Sequence, residues 1–431
     1  MMKIPKRMPA AIMDRVEAML LPMIDMMIQL ELEFPQKLDT QRLARAIDLI
    51  QDAEPVLGCR WVPNWRRPRW ERLESGERQS FLLVNSQEAY EKFKSESSNL
   101  TGGPQIKACL YQSPHGDRLL LKVSHIAADA SAVKDIAGSL SSIYTRLARE
   151  PDYRPEPNLR GSRDIWQILR HIPWHAYPKI YLNFLRETQM INKTKHSTYM
   201  LPFEDRARDN LGFVYRFIPA DRASYLADYG RSHDATLNDV LLTAYVRALG
   251  LRGDWDRQSR LMVLMTADLR QWYLPTKKAK GISNLSAGEY VDLGTDIGSD
   301  FAATLQRVCT ITRNRKANWI GVNQLIGAFP ILLSMPQSFL EWNFRKAGER
   351  LIRKHNLSPG FTNMGEIDRD SVTFDEAPSG ARLLTPPTYP PHFAAGVSGY
   401  AGILTITAGA YASQKKVVEQ FLDTMVAELP S

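Results

Sequence analysis

The sequence predicts an α/β protein whose alternating strands and helices are divided between two lobes. Three observations carry that expectation. Short apolar runs of strand composition alternate with amphipathic helical patterns along the whole 431-residue chain. A chain of that length is expected to form two or three domains, each burying a sizeable core. A polar, charged stretch at 191–210 separates a basic aromatic segment from a fresh strand and marks a lobe boundary. The expected division is an N-terminal lobe over 1–190, a linker over 191–210 and a C-terminal lobe over 211–431.

An amphipathic opening segment over 1–28 leads into Ile28-Gln-Leu-Glu-Leu-Glu-Phe34, whose strict alternation predicts a half-buried strand. Residues 38–50 follow as an amphipathic helix, with Leu43, Ile47 and Ile50 on one face and Thr40 as candidate cap. Residues 60–72 then interleave five arginines with three tryptophans. Such a cluster suits single-stranded nucleic acid, by stacking and phosphate pairing. It equally suits a twisted hairpin whose arginines cover its own tryptophans. No RNA-binding motif accompanies it, so no nucleic acid is expected. Residues 81–84 and 105–111 are further strands, and 89–98 a short polar helix.

The first lobe centres on Leu119-Leu-Leu-Lys-Val-Ser-His-Ile-Ala-Ala-Asp-Ala130. A strand ends at His125, and a helix begins just past Asp129, four residues later. From there Val133, Ile136, Ala137, Leu140, Tyr144 and Leu147 recur at helical steps. An imidazole titrates near pH ~6.5, so its neutral form can take a proton from an alcohol, amine or thiol. The carboxylate either pairs with a cation from elsewhere or contacts the ring. The HxxxD spacing alone also fits a surface histidine beside an N-cap aspartate.

Composition is globular, at 44% hydrophobic and 24% charged. Cys59, Cys109 and Cys309 are scattered and odd in number, which predicts free thiols in a reducing cytoplasm. The net charge of +8 favours anionic ligands such as a CoA phosphate, an acidic carrier protein or an anionic membrane face. No signal peptide is expected. Residues 165–190 mix aromatic and basic side chains and predict either a crossover helix pair or peripheral membrane contact. Pro173 between His171 and His175, with no third ligand, argues against a metal. Residues 317–340 are uncharged but contain Asn323, Pro330 and Pro336, so buried helices are expected rather than a membrane span.

The second lobe opens with a strand at 212–218 and a helix at 221–230. A longer helix over 235–249 follows, capped by Thr236. A buried strand over 261–270 ends in Asp268 and Arg270, and is followed by Gly281-Ile-Ser-Asn-Leu285. After a helix at 301–316, Thr362-Asn-Met-Gly365 lies in a strand and turn. A β–β–α unit over 393–429 closes the chain.

Taken in order, these segments resemble the CoA-dependent acyltransferase superfamily. It includes chloramphenicol acetyltransferase, nonribosomal-peptide condensation domains, wax ester synthases and mycobacterial polyketide-associated acyltransferases. The central stretch is similar to its HHxxxDG motif, with the second histidine kept as His125, Ser124 in place of the first, and Ala130 in place of the glycine. Matching phrases are Thr236-Leu-Asn-Asp-Val-Leu-Leu242, Asp268-Leu-Arg270, Gly281-Ile-Ser-Asn284 and Asn363-Met-Gly365, so the resemblance covers most of the chain.

The resemblance implies two chloramphenicol-acetyltransferase-like lobes, each a mixed sheet flanked by helices, with an active-site tunnel between them. His125 would be the general base. Asp129 would shape the loop, paired with Arg270, and Asn363 would offer an amide to substrate or oxyanion; a surface arginine and a turn-forming asparagine are the plainer alternatives. The implied co-substrate is an acyl-CoA or phosphopantetheinyl carrier, the acceptor an alcohol or amine, with no tightly bound cofactor and a monomeric cytoplasmic chain. Two other classes compete. One is a non-catalytic carrier-protein-binding module, suggested by Ser124 and Ala130. The other is a single-stranded nucleic-acid binder using residues 60–72.

Overall fold

The computed structural model describes residues 3–193, 200–204, 206–253, 259–354 and 356–431. Within the linker expected over 191–210, residues 194–199 and 205 lie outside the described residues.

The first lobe begins with β1 (Arg7–Pro9), α1 (Ile12–Ala18), β2 (Met27–Phe34) and α2 (Thr40–Ala53). The hairpin strands β3 (Cys59–Val62) and β4 (Arg69–Arg72) follow, then β5 (Phe81–Val84) and α3 (Gln87–Ser95). The lobe continues with β6 (Ile106–Ser113), β7 (Gly116–Ser124) and α4 (Ala130–Arg149). Helices α5 (Trp166–Leu169) and α6 (Tyr177–Lys193) cross toward the second lobe.

There the order is β8 (Leu211–Ile218), α7 (Ala220–Ser232), α8 (Leu237–Arg252), β9 (Leu261–Asp268), α9 (Leu269–Tyr273) and β10 (Ser286–Gly294). Then come α10 (Phe301–Ala317), α11 (Asn323–Ser334), α12 (Gln337–Arg353) and β11 (Gly360–Glu366). Strands β12 (Gly380–Leu384), β13 (Ala394–Tyr400) and β14 (Ile403–Tyr411) lead to the last helix, α13 (Lys415–Ala427).

Among the described residues the strands make a six-stranded sheet β10-β9-β11-β13-β14-β8, a five-stranded sheet β12-β2-β7-β6-β5, and a small sheet β1-β4-β3. Strand β12, late in the sequence, pairs antiparallel with β2 and so completes the first lobe's sheet. One apolar core lies between that sheet and helices α2 and α4. A second surrounds α8, which is buried almost all round and closed at its N-terminus by a capping box between Thr236 and Asp239. A third cluster joins Ile12 and Met13 of α1 to Ile168 and Ile180 and to Leu325 of α11, so the 165–190 segment packs as a crossover.

Several local expectations change in three dimensions. Asp39, one residue before Thr40, caps α2 by accepting from the Arg42 amide at 3.0 Å. Strand β2 is buried on both faces, because Glu31 is covered by a polar cluster rather than by water. Its carboxylate accepts from Tyr90 Oη at 2.6 Å, Lys94 Nζ at 3.0 Å and Arg382 Nε at 2.6 Å. Burial opposes its charge, but Lys94 and Arg382 outweigh that and bring its pKa down to about 2. The uncharged stretch is only partly buried: Leu325, Ile326, Gly327, Leu332 and Leu340 are covered, whereas Ile331 and Leu333 are exposed.

Candidate active site

Strand β7 carries the chain to the lobe interface and ends at the buried Ser124. Its carbonyl accepts from the amides of Ala127 and Ala128, both at 3.0 Å, and that tight turn delivers Asp129 to the start of α4. The His125 amide donates to the Met26 carbonyl at 2.8 Å, so the histidine backbone is fixed by the neighbouring strand. Asp129 is the N-cap of α4, its Oδ1 accepting from the Ala132 amide at 2.9 Å.

Asp129 also reaches across the interface. Its Oδ2 accepts from Arg270 Nη1 at 2.7 Å and from the Leu285 amide at 2.6 Å. Arg270, in α9, further donates to Asp268 Oδ1 at 3.1 Å and to the Ser283 carbonyl at 2.8 Å. Both side chains are nearly sealed from water, 4% exposed for Asp129 and 3% for Arg270. Burial would raise the Asp129 carboxyl, but the Arg270 guanidinium and the two amides hold it below the usual carboxylate range. Ser131 Oγ donates to Asp268 Oδ2 at 2.8 Å, and Lys134 Nζ donates to the Met364 carbonyl at 2.8 Å. Four side chains of the β7–α4 junction and α9 thus clamp the lobes beside the histidine.

The His125 side chain is 19% exposed and faces a cavity of about 310 Å³ between the lobes, within the range of small-molecule sites. Leu20, Ile24 and Ile28 line it from the first lobe, and Leu264, Thr266 and Phe361 from the second. Asn363 lies on the same wall. It donates from Nδ2 to Asn238 Oδ1 at 3.1 Å and accepts from the Gly365 amide at 3.0 Å. Gly365 has φ of 72°, a left-handed conformation that favours glycine, and the register of β11 against β13 shifts there. Of the residues singled out in the sequence, His125, Asp129 and Arg270 come together, while Asn363 lines the cavity on β11.

Three further residues belong to this site. Asn284 Nδ2 lies 3.0 Å from both the His125 carbonyl and His125 Nδ1, while its Oδ1 accepts from the Ser286 amide at 3.1 Å. With the amide oriented by that network, Nδ1 accepts from Asn284 in the tautomer that carries its hydrogen on Nε2, and faces Glu17 as a donor in the other. Glu17, on α1, has its Oε2 3.8 Å from Nδ1, and that oxygen accepts no hydrogen bond among the described residues. Burial raises the Glu17 carboxyl, and the nearby His125 ring only partly offsets the rise. His392 lines the cavity too, and burial lowers its pKa to about 4.

Asn284 belongs to a phrase that matches the superfamily, but the sequence assigns it no role. Glu17 registers there only as a charge interrupting an apolar opening. His392 carries no local signal. Among the described residues, no three His, Cys, Asp or Glu side chains are placed to hold a metal, and no helix is long and apolar enough to cross a membrane.

The fold has counterparts of known structure. The chain is similar to polyketide synthase associated protein 5 from Mycobacterium tuberculosis, at 16% identity and a TM-score of 0.64 over 97% of this chain and 96% of that one. It is similar to the epimerization domain from the third module of tyrocidine synthetase B, at 15% identity and a TM-score of 0.66 over 98% and 96%. The trichothecene 15-O-acetyltransferase of Fusarium sporotrichioides aligns at 11% identity and a TM-score of 0.69, over 98% and 95%. In sequence, the chain is 25% identical over 227 residues to a plipastatin synthase polypeptide from Bacillus subtilis (strain 168). That match takes in 48% of this chain but 9% of the relative, so the chain spans under a tenth of that protein's length. No protein-family model matches. The chain shares the two-lobed fold of these solved structures.

Proposed function

We propose that the protein is an acyltransferase that moves an acyl group from a CoA or carrier-protein thioester to an alcohol or amine, with His125 as general base. The observation that carries this reading is the imidazole on the wall of an inter-lobe cavity, beside a buried Asp129–Arg270 pair that fixes its loop.

The acceptor hydroxyl or amine gives its proton to His125 as it attacks the thioester carbonyl. The tetrahedral adduct collapses, the C–S bond breaks, and the departing thiolate takes the proton back from the imidazolium. Because Asn284 and Glu17 flank Nδ1, the nitrogen left for substrate is Nε2, and acting through it requires the ring hydrogen on Nδ1. Asn284 cannot accept that hydrogen from its amide nitrogen. Glu17 Oε2, unpartnered and 3.8 Å away, is the group placed to do so once the gap closes. Once protonated, the ring donates from both nitrogens, and a carboxylate at Nδ1 stabilises that state. Glu17 is therefore a positioning residue. Asp129 acts through the loop and does not touch substrate. Asn363 has one amide hydrogen beyond that given to Asn238, available to a developing oxyanion.

A non-catalytic, carrier-binding reading retains one point in its favour, the replacement of the first motif histidine by the buried Ser124. A thiol-release screen across acyl-CoAs with pooled alcohols and amines, run beside His125→Ala, separates the two. Release that depends on His125 supports acyl transfer; binding of an acyl carrier with no release from any pair supports the binding module.

A further inference from the structure

The loop joining β3 and β4 projects Trp65, Arg66 and Arg67, with Trp65 67% exposed. Asn64 Oδ1 holds this tip by accepting from the amides of Arg66 at 2.9 Å and Arg67 at 3.1 Å. The tip is bonded to the corner between α11 and α12. The Gln337 amide donates to the Arg66 carbonyl at 3.1 Å, and the Ser338 amide to the Trp65 carbonyl at 3.0 Å. At that corner Ile331, Leu333, Met335, Phe339 and Trp342 are all exposed, from 38% at Met335 to 52% at Ile331.

Helix α12 continues the surface. Only Gln337 and Leu340 of its residues are buried. Phe339, Trp342, Lys346, Arg350 and Arg353 recur at three- and four-residue steps, so one outward stripe carries two aromatic rings followed by three cations. Among the described residues, neither Arg66 nor Arg67 has an ion-pair partner. Soluble monomers rarely leave so many adjacent large apolar side chains in water.

We propose that this corner docks on an anionic lipid bilayer. Trp65, Ile331, Leu333, Met335, Phe339 and Trp342 enter the headgroup boundary, and Arg66, Arg67 and the cations of α12 meet lipid phosphates. The mixture is the one an interfacial surface needs, with tryptophan and aliphatic side chains rimmed by unpaired arginines. Single-stranded nucleic acid fits it less well. Trp61 and Trp70 pack edge to face inside the hairpin at 4.8 Å and offer no face to a base. Ile331, Leu333 and Met335 have no ring to stack. The surface is also tied to the cavity: Arg15 of α1 donates to the carbonyls of Leu332 at 2.7 Å and Met335 at 3.0 Å, and Glu17, two residues on, stands on the cavity wall.

The test is sedimentation of the full chain with phosphatidylcholine vesicles, with and without phosphatidylglycerol, alongside its tryptophan emission. The proposal expects binding to the anionic vesicles with a blue shift, weakening as salt shortens the Debye length below about 10 Å. Phe339→Ser with Trp342→Ser should lower partitioning at least tenfold, and Arg66→Ala or Arg67→Ala by about fivefold each. All four positions are exposed, and an unchanged thermal melt shows that the variants fold. Failure to sediment with anionic vesicles at low salt overturns the proposal, as does sedimentation that these variants leave unchanged. Variant-sensitive binding to a single-stranded oligonucleotide, or to a second copy of the chain, without vesicle binding also overturns it. The outcome does not depend on whether acyl transfer is found.

Discussion

The β7–α4 junction and the α11–α12 corner break the usual burial pattern in opposite directions. At the junction a carboxylate and a guanidinium are removed from water, held by each other and by four neighbouring groups. At the corner, large apolar side chains remain in water although cores lie close by. Buried charge is tolerated only where partners are in place, and each such group then fixes a geometry. Exposed apolar surface costs free energy until something covers it. The first region has the marks of an internal site, the second of an external one.

The sharpest way to break the contrast is at the junction. His125→Ala should cut turnover by about 10²–10⁴-fold with an unchanged melting temperature, as read by thiol release and a thermal melt. Near-wild-type turnover would remove the catalytic assignment.

Next comes the pair that holds the loop. Arg270→Met leaves Asp129 buried without its cation and should cost about 3–5 kcal/mol in urea denaturation. Asp129→Asn should lower both stability and activity; full stability with a purely kinetic defect would instead mean direct participation. The pair also predicts an acid response. The folded carboxyl lies below its unfolded value of about 3.9, so as pH falls the unfolded chain takes up the proton first. The stabilisation is complete above that pH and is lost as pH drops through the folded value, and Asp129→Asn should flatten this acid-side fall.

Glu17→Gln keeps the shape and a carbonyl acceptor for Nδ1–H but removes the negative charge beside it. A charge-assisted hydrogen bond of about 1.5–3 kcal/mol corresponds to roughly ten- to hundredfold in kcat, with KM little changed. An equal loss in the binding of a thioester analogue would reassign Glu17 to substrate contact. The smallest effect belongs to the corner. Phe339→Ser and Trp342→Ser should each shift stability in solution by less than about 0.5 kcal/mol, because both are surface side chains about half exposed. A loss above 2 kcal/mol would show that the corner is packed.

Much of the scaffold is readable locally. Strand β7 and helix α4 announce themselves by a change of apolar period at Asp129, and Thr236 with Asp239 forms a capping box within four residues. Such features depend on neighbours in sequence, so a single chain displays them. The half-buried reading of β2 fails because Glu31 meets Lys94 and Arg382, which are remote in sequence. Asp39 takes the cap expected of Thr40 because either oxygen-bearing side chain serves, and backbone geometry chooses.

Local pattern thus accounts for the order of strands and helices, the histidine at a strand end and the aspartate at a helix start. These follow from periodicity and from the hydrogen-bonding needs of helix termini. Packing in space is what brings Glu17 and Asn284 to the same imidazole, which they approach from 108 and 159 positions away. It also leaves Ile331 and Trp342 about half exposed. Proximity between distant residues, and the absence of a covering layer, are properties of how elements pack, and no short stretch of chain encodes them.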